Sequence, residues 1–126
     1  MWVYSQARGN LHHDGIFVGT GYSGNGEGKN NPAMQEHPDL GPCPRGFFTT
    51  ELITDERGNA CDYEGKKAPV LRLLPDAETE MFGRSGMLMH GDSLSSPGTA
   101  SRGCIIQNHK VRAEVAASTD KRLQVV

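Results

Sequence analysis

Met87-Leu88-Met89-His90-Gly91-Asp92, a polar loop through residue 102, and then Gly103-Cys104-Ile105-Ile106 form the stretch on which the reading of this chain turns. Short apolar runs bounded by Gly, Ser and Pro read as buried strands. The first run therefore delivers a histidine into a loop, and the loop returns a cysteine at the head of a second strand. His90 and Cys104 are 14 residues apart, so their meeting depends on the fold and not on helical spacing. Nucleophilic cysteine chemistry needs a thiol beside a base, with the base oriented by a third group. Two neighbouring strand ends can supply that geometry.

The plainer reading of a cysteine between apolar residues is a small buried hydrophobe. The neighbourhood Ser101-Arg102-Gly103-Cys104 argues for more. Gly103 lets backbone approach a reacting group, and Arg102 is a cation that favours a thiolate. Both readings stand on the residues alone.

The chain has 126 residues, enough for one domain with a modest core, and the expected organisation is a single domain over 1–126. Only 36% of residues are hydrophobic, against 16 glycines and 7 prolines, which favours short strands and many turns over a helical bundle. A net charge of -2 and the absence of a basic run argue against a nucleic-acid partner. No apolar stretch reaches membrane-spanning length, and Met1-Trp2-Val3-Tyr4-Ser5 lacks a secretory signal pattern. Cys43 and Cys61 either pair in an oxidising compartment, sparing Cys104, or remain reduced; spacing does not decide.

Along the chain, Trp2-Val3-Tyr4 reads as a strand, and Leu11 to Val18 as a hairpin turning at Asp14-Gly15. His12 and His13 are adjacent, point to opposite faces of a strand, and are not expected to share a metal. Residues 19–42 read as a long loop with a short turn near Ala33-Met34-Gln35. Gly19-Thr20-Gly21-Tyr22-Ser23-Gly24 matches a dinucleotide-binding pattern only formally, since no helix follows it. Phe47 to Ile53 reads as a strand, 55–67 as a surface excursion, and Pro69 to Leu74 as the clearest core strand, with Arg72 on its exposed face. Asp76 is expected to cap one helical turn through Glu80. Lys110–Ala117 has helical spacing with Val111 and Val115 on one face, and Leu123 to Val126 closes the chain as a strand. The fold expected is mostly β, with one or two short helices and long loops.

His90-Gly91 followed by Ser101-Arg102-Gly103-Cys104-Ile105 resembles the catalytic signature of the L,D-transpeptidases, and Pro44-Arg45-Gly46-Phe47-Phe48-Thr49 is similar to that family's strand entry. Closer still are the type VI secretion L,D-transpeptidase effectors. They share the look of Gly19-Thr20-Gly21-Tyr22-Ser23-Gly24, Lys29-Asn30-Asn31-Pro32, Met81-Phe82-Gly83-Arg84-Ser85-Gly86 and His90-Gly91-Asp92. The resemblance implies a compact, trimmed L,D-transpeptidase-like β-sandwich. It also implies an antibacterial toxin made in the cytoplasm without a cleavable signal, secreted, and active in the target-cell periplasm. Its partners would be peptidoglycan stem peptides, an immunity protein and a secretion-apparatus carrier, with no metal or other cofactor.

On that resemblance Cys104 is the nucleophile, His90 the base and the Gly91 carbonyl its orienter, while N–H groups around Gly103-Cys104 hold the oxyanion. The reaction would be L,D-carboxypeptidase cleavage or L,D-transpeptidase exchange on tetrapeptide stems. Arg102 stands where the wider family carries a second histidine; it either grips a substrate carboxylate or is a solvated loop charge. Gln107 borders the expected substrate path. Ser101 either orients backbone and substrate or caps its loop, and Asp92 either positions His90 or forms a turn. His109 is the rival base, but it is expected at a helix start, facing away from the thiol. A different class stays open, a catalytically idle β-sandwich binding peptidoglycan or a partner protein. A thiol pKa well below about 8.5 would favour catalysis over that alternative.

Overall fold

The computed structural model describes residues 1–61 and 68–126. Its strands are β1 (Trp2–Tyr4), β2 (Asn10–His13), β3 (Ile16–Thr20), β4 (Tyr22–Ser23), β5 (Gly46–Leu52), β6 (Leu71–Pro75), β7 (Leu88–His90), β8 (Ile105–Ile106) and β9 (Arg122–Val125). A single α-helix among the described residues, α1 (His109–Ala117), lies between β8 and β9, and two 3-10 turns cover Gly26–Gly28 and Pro32–Met34. The mostly β architecture is as expected. The strands hydrogen-bond into one continuous sheet in the order β3-β2-β1-β9-β5-β6-β7-β8-β4.

The ends of that sheet are consecutive in sequence. β3 pairs with β2 at one end, β4 pairs with β8 at the other, and only Gly21 separates them. One extended segment thus serves both edges and leaves the sheet nearly closed. Gly21 is where the two ends pass: its N–H donates to the Gly9 carbonyl at 2.9 Å, and a Cβ there would collide with the Ile106 carbonyl. This corrects the reading of 19–42 as a loop throughout, since Gly19, Thr20, Tyr22 and Ser23 are strand residues. The short turn expected near Ala33 is present at Pro32–Met34.

Period-2 alternation sets the inside. Trp2 and Tyr4 stand opposite Leu123 and Val125; Phe48 meets Leu123; Leu71 meets Met89, which meets Ile105. All are buried in one cluster, joined by Val111 and Val115 from α1. Each fully buried side chain of this size contributes about 1.5–3 kcal/mol of transfer free energy, so the inward row is the main stabilising element. The hairpin turns at Asp14 and Gly15, both with positive φ (49° and 82°), as a tight turn between twisted strands requires.

One expectation needs correction. Asp76 caps no helix: residues 77–79 form a turn, and the Asp76 carboxylate takes two bonds from the Arg122 guanidinium at 2.9 and 2.6 Å. A planar fork matched to a carboxylate outcompetes a single cap bond. In the excursion over 55–67, Asp55 organises an exposed turn through the Arg57 and Asn59 N–H groups; positions 62–67 lie outside the described residues. No helix among the described residues is long and apolar enough to cross a membrane.

Candidate active site

β7 and β8 run parallel, with Met89 opposite Ile105 and His90 opposite Ile106. Met89 and Ile105 face the core and are fully buried. Alternation therefore turns His90, and Cys104 just before β8, to the other face of the sheet, as diagonal neighbours on adjacent strands. His90 Nδ1 lies 2.8 Å from the Gly91 carbonyl oxygen. A carbonyl only accepts, so Nδ1 carries the proton and Nε2 is the nitrogen that accepts one.

The Cys104 thiol is half-buried, and burial pushes its pKa up; the Leu88 N–H and the Arg84 charge pull the other way without reversing the shift. The depressed thiol pKa that would set catalysis apart from a binding module is thus not found in the resting protein. In the resting protein Cys104 is a neutral thiol, 4.0 Å from the Gly86 carbonyl oxygen, and a base must take its proton at the moment of attack.

Ser101 is fully buried. Its hydroxyl donates to the Cys104 carbonyl at 2.6 Å and accepts from the N–H groups of Gly24 (2.8 Å) and Gly103 (3.1 Å). This is the loop-capping alternative: Ser101 braces the turn that presents the thiol. The Gly103 N–H is thus bonded to that hydroxyl. The Gly103 carbonyl accepts from Ser23 Oγ at 3.0 Å, and Ser23 Oγ accepts from the Cys43 N–H at 2.8 Å.

The three residues expected at the substrate separate. Arg102 is exposed beside the nucleophile. Asp92 does not hold His90; its carboxylate takes the Tyr22 hydroxyl and the Ser93 and Gly98 N–H groups, folding the loop between base and nucleophile. Gln107 is buried, 1% exposed, and its side-chain NH2 donates to the Gly9 carbonyl at 3.1 Å. It supports the seam where β3 and β4 pass and does not border a substrate path.

The cation beside the thiol is Arg84, which reading the sequence for chemistry overlooked. Arg84 and Arg112 are both buried. A Cβ on Gly103 would strike the Arg84 guanidinium, and one on Gly91 would come within 2.8 Å of Arg112 Nη2. The glycines flanking nucleophile and base thus make room for a guanidinium each. Arg112 reaches the Gln107 carbonyl (3.0 Å) and the Pro69 carbonyl (2.6 Å) from α1.

His109 opens α1, is exposed, and lines a shallow groove with Leu52, Pro69 and Ala113. His13, Asp14 and Asp120 are the one group of described residues with metal-ligand spacing. The α-amino group of Met1 already sits between its carboxylates, at 2.5 and 2.8 Å. His12 takes no part in it.

Fold and site together define a nearly closed β domain with a thiol and an imidazole on adjacent parallel strand ends. Residues 18–126 match the family model described as the Tlde1 domain. The chain belongs to this family, which is one of type VI secretion effectors. No curated protein and no solved structure gives a match.

Proposed function

We propose that the protein is a cysteine-dependent peptidoglycan-modifying enzyme, an L,D-carboxypeptidase or L,D-transpeptidase acting on tetrapeptide stems as an antibacterial effector toxin. The observation that carries this reading is the pairing of His90 and Cys104 on one face of β7 and β8, with the Gly91 carbonyl fixing the histidine tautomer. Family membership supports it.

In this reading the substrate is the stem bond between a meso-diaminopimelate-type residue and a terminal D-alanine. His90 Nε2 takes the Cys104 proton as Sγ attacks the carbonyl carbon, and the oxyanion forms beside the Cys104 N–H. The C–N bond then breaks, the imidazolium returns its proton to the departing D-alanine amine, and a thioester remains. Water attacking the thioester gives the trimmed tripeptide; an amine gives exchange or crosslinking. Because the resting thiol is neutral, His90 works as a general base and not as half of a preformed ion pair. Arg102, exposed and two residues before Cys104, would meet the substrate's terminal carboxylate in this reading. The substrate would be met in the periplasm of a target cell, and an immunity protein in the producer would block the toxin.

The test is incubation with defined tetrapeptide muropeptides and identification of products by mass. The expected result is loss of one D-alanine, or its exchange for an added amine, and neither with Cys104→Ala. Unaltered tetrapeptide with native protein, or turnover by Cys104→Ala equal to native, would remove the proposal and leave a peptidoglycan- or protein-binding module.

A further inference from the structure

Arg84 is only 8% exposed, and its guanidinium is spent on main-chain oxygens. Nη1 donates to the carbonyls of Gln35 (2.6 Å) and Pro42 (2.8 Å), and Nη2 to those of Gly41 (2.8 Å) and Arg102 (3.2 Å). Three separate segments are tied by one side chain, and the last of them is the turn carrying Cys104. Every one of those acceptors is neutral. A buried cation without a bonded anion is costly to keep, unless an anion forms beside it during the protein's work. Around it stand the Cys43 thiol, the Asp39 carboxylate, which is not bonded to it, and the Cys104 thiol, in falling order of influence; His90 lies across the strand pair. Cys43 is fully buried and its pKa is driven far up, chiefly by burial, so it stays neutral. Cys104 is the group there that a base can deprotonate.

We infer that Arg84 is a positioning residue for Cys104: it fixes the turn that presents the thiol and supplies, from the protein side, the positive charge that the thiolate meets as it forms. This rests on reading Cys104 as the nucleophile and goes beyond it. The task expected of Arg102 divides, with charge support falling to Arg84. Lysine at 84 keeps the charge but cannot reach four carbonyls at once, whereas methionine keeps bulk and loses both.

The experiment reads alkylation of the Cys104 peptide by mass, as a function of pH, in native protein, Arg84→Met and Arg84→Lys, with muropeptide turnover beside it. In Arg84→Met the midpoint should rise by about one pH unit and kcat fall about tenfold or more with KM within about twofold. Arg84→Lys should hold the midpoint near native while alkylation and kcat fall several-fold. An unmoved midpoint in folded Arg84→Met would overturn the inference, whatever the turnover. Should only Arg84→Lys fold, a native alkylation rate would overturn it and a several-fold loss would support it. Alkylation does not require muropeptide chemistry, so failure of the proposed activity and failure of Arg84's role are read separately.

Discussion

Tyr22 and Asp92, 70 residues apart in sequence, share a 2.5 Å hydrogen bond from the phenol to the carboxylate. The same phenol oxygen accepts from the Ala100 N–H at 2.9 Å, and Lys29 Nζ lies 4.4 Å from the centre of the Tyr22 ring. Strand β4 thereby holds both ends of the loop that joins base to nucleophile. Burial, then the bond to Asp92, pushes the Tyr22 pKa up to about 12. Partial burial works to raise Asp92, but the Tyr22 hydroxyl, the Gly98 and Ser93 N–H groups and Lys29 outweigh it, and its pKa ends below the usual value.

Tyr22→Phe should therefore loosen residues 92–100 without unfolding the sheet. The sign follows from the depressed carboxyl: its contribution to loop stability is full above the unfolded value of about 3.9 and is lost as pH falls through the lower folded value. The protection of the loop amides, taken relative to the intrinsic exchange rate at each pH, should be steady from neutral pH to about 5 and weaken on further acidification. The Phe variant should begin that loss at higher pH and show weaker protection throughout. Native loop protection in Tyr22→Phe would show that the phenol does not hold the loop.

His90→Asn should lower turnover about a hundredfold or more, since among the described residues no other group on the outer face of β7 and β8 is placed to take the Cys104 proton. His109→Asn should cost little, because α1 carries that ring to a groove lined by Leu52 and Pro69. Muropeptide turnover measured for both variants checks the ranking, and the reverse order would reassign the base.

The strands carrying His90 and Cys104 were legible because each is a short apolar run with polar punctuation, and β1, β5, β9 and α1 follow from the same periodicities. Gly19 to Ser23 was not legible. Glycine signals a loop in isolation, and here it marks a place where two ends of one sheet pass too closely for a Cβ. Arg84 was hidden for a different reason. Its carbonyl partners come from Gln35, Gly41, Pro42 and Arg102, so nothing local distinguishes it from a solvated arginine, while Arg102 stood in plain view beside Gly103. Gln107 shows the converse: nearness to the cysteine in sequence reads as nearness to substrate, yet three positions on the side chain faces the seam beneath Gly9.

Gln107→Leu is expected to reduce stability and leave KM alone. Removing the side-chain NH2 takes one of two donors from the buried Gly9 carbonyl, which keeps the Gly21 N–H, a loss of about 0.5–1.5 kcal/mol. Part of this is offset, since the Gln107 side-chain oxygen has no partner among the described residues and leucine relieves that cost. The denaturant midpoint should fall with the slope unchanged. A raised KM at native stability would return Gln107 to the substrate path.

The last prediction concerns the thiols. Cys43, Cys61 and Cys104 are all free, so of the two states open from spacing the structure holds the reduced one. Cys43 is fully buried, its N–H anchored on Ser23, while Cys61 is half-buried and its N–H is bonded to the Ile53 carbonyl at 3.0 Å. The thiol whose charge Cys43 senses is that of Cys104, not that of Cys61. Alkylation of folded protein without reductant should modify Cys61 and Cys104 and spare Cys43, which should react only once denaturant opens the core. Burial raises the Cys104 pKa, so its labelling should speed up as pH climbs past the range of an ordinary thiol, about 8.5. The intact mass should correspond to three reduced cysteines. A bridged 43–61 peptide in folded protein would contradict the geometry, because forming it would draw Cys43 from the core and break its bond to the Ser23 hydroxyl that also supports Gly103.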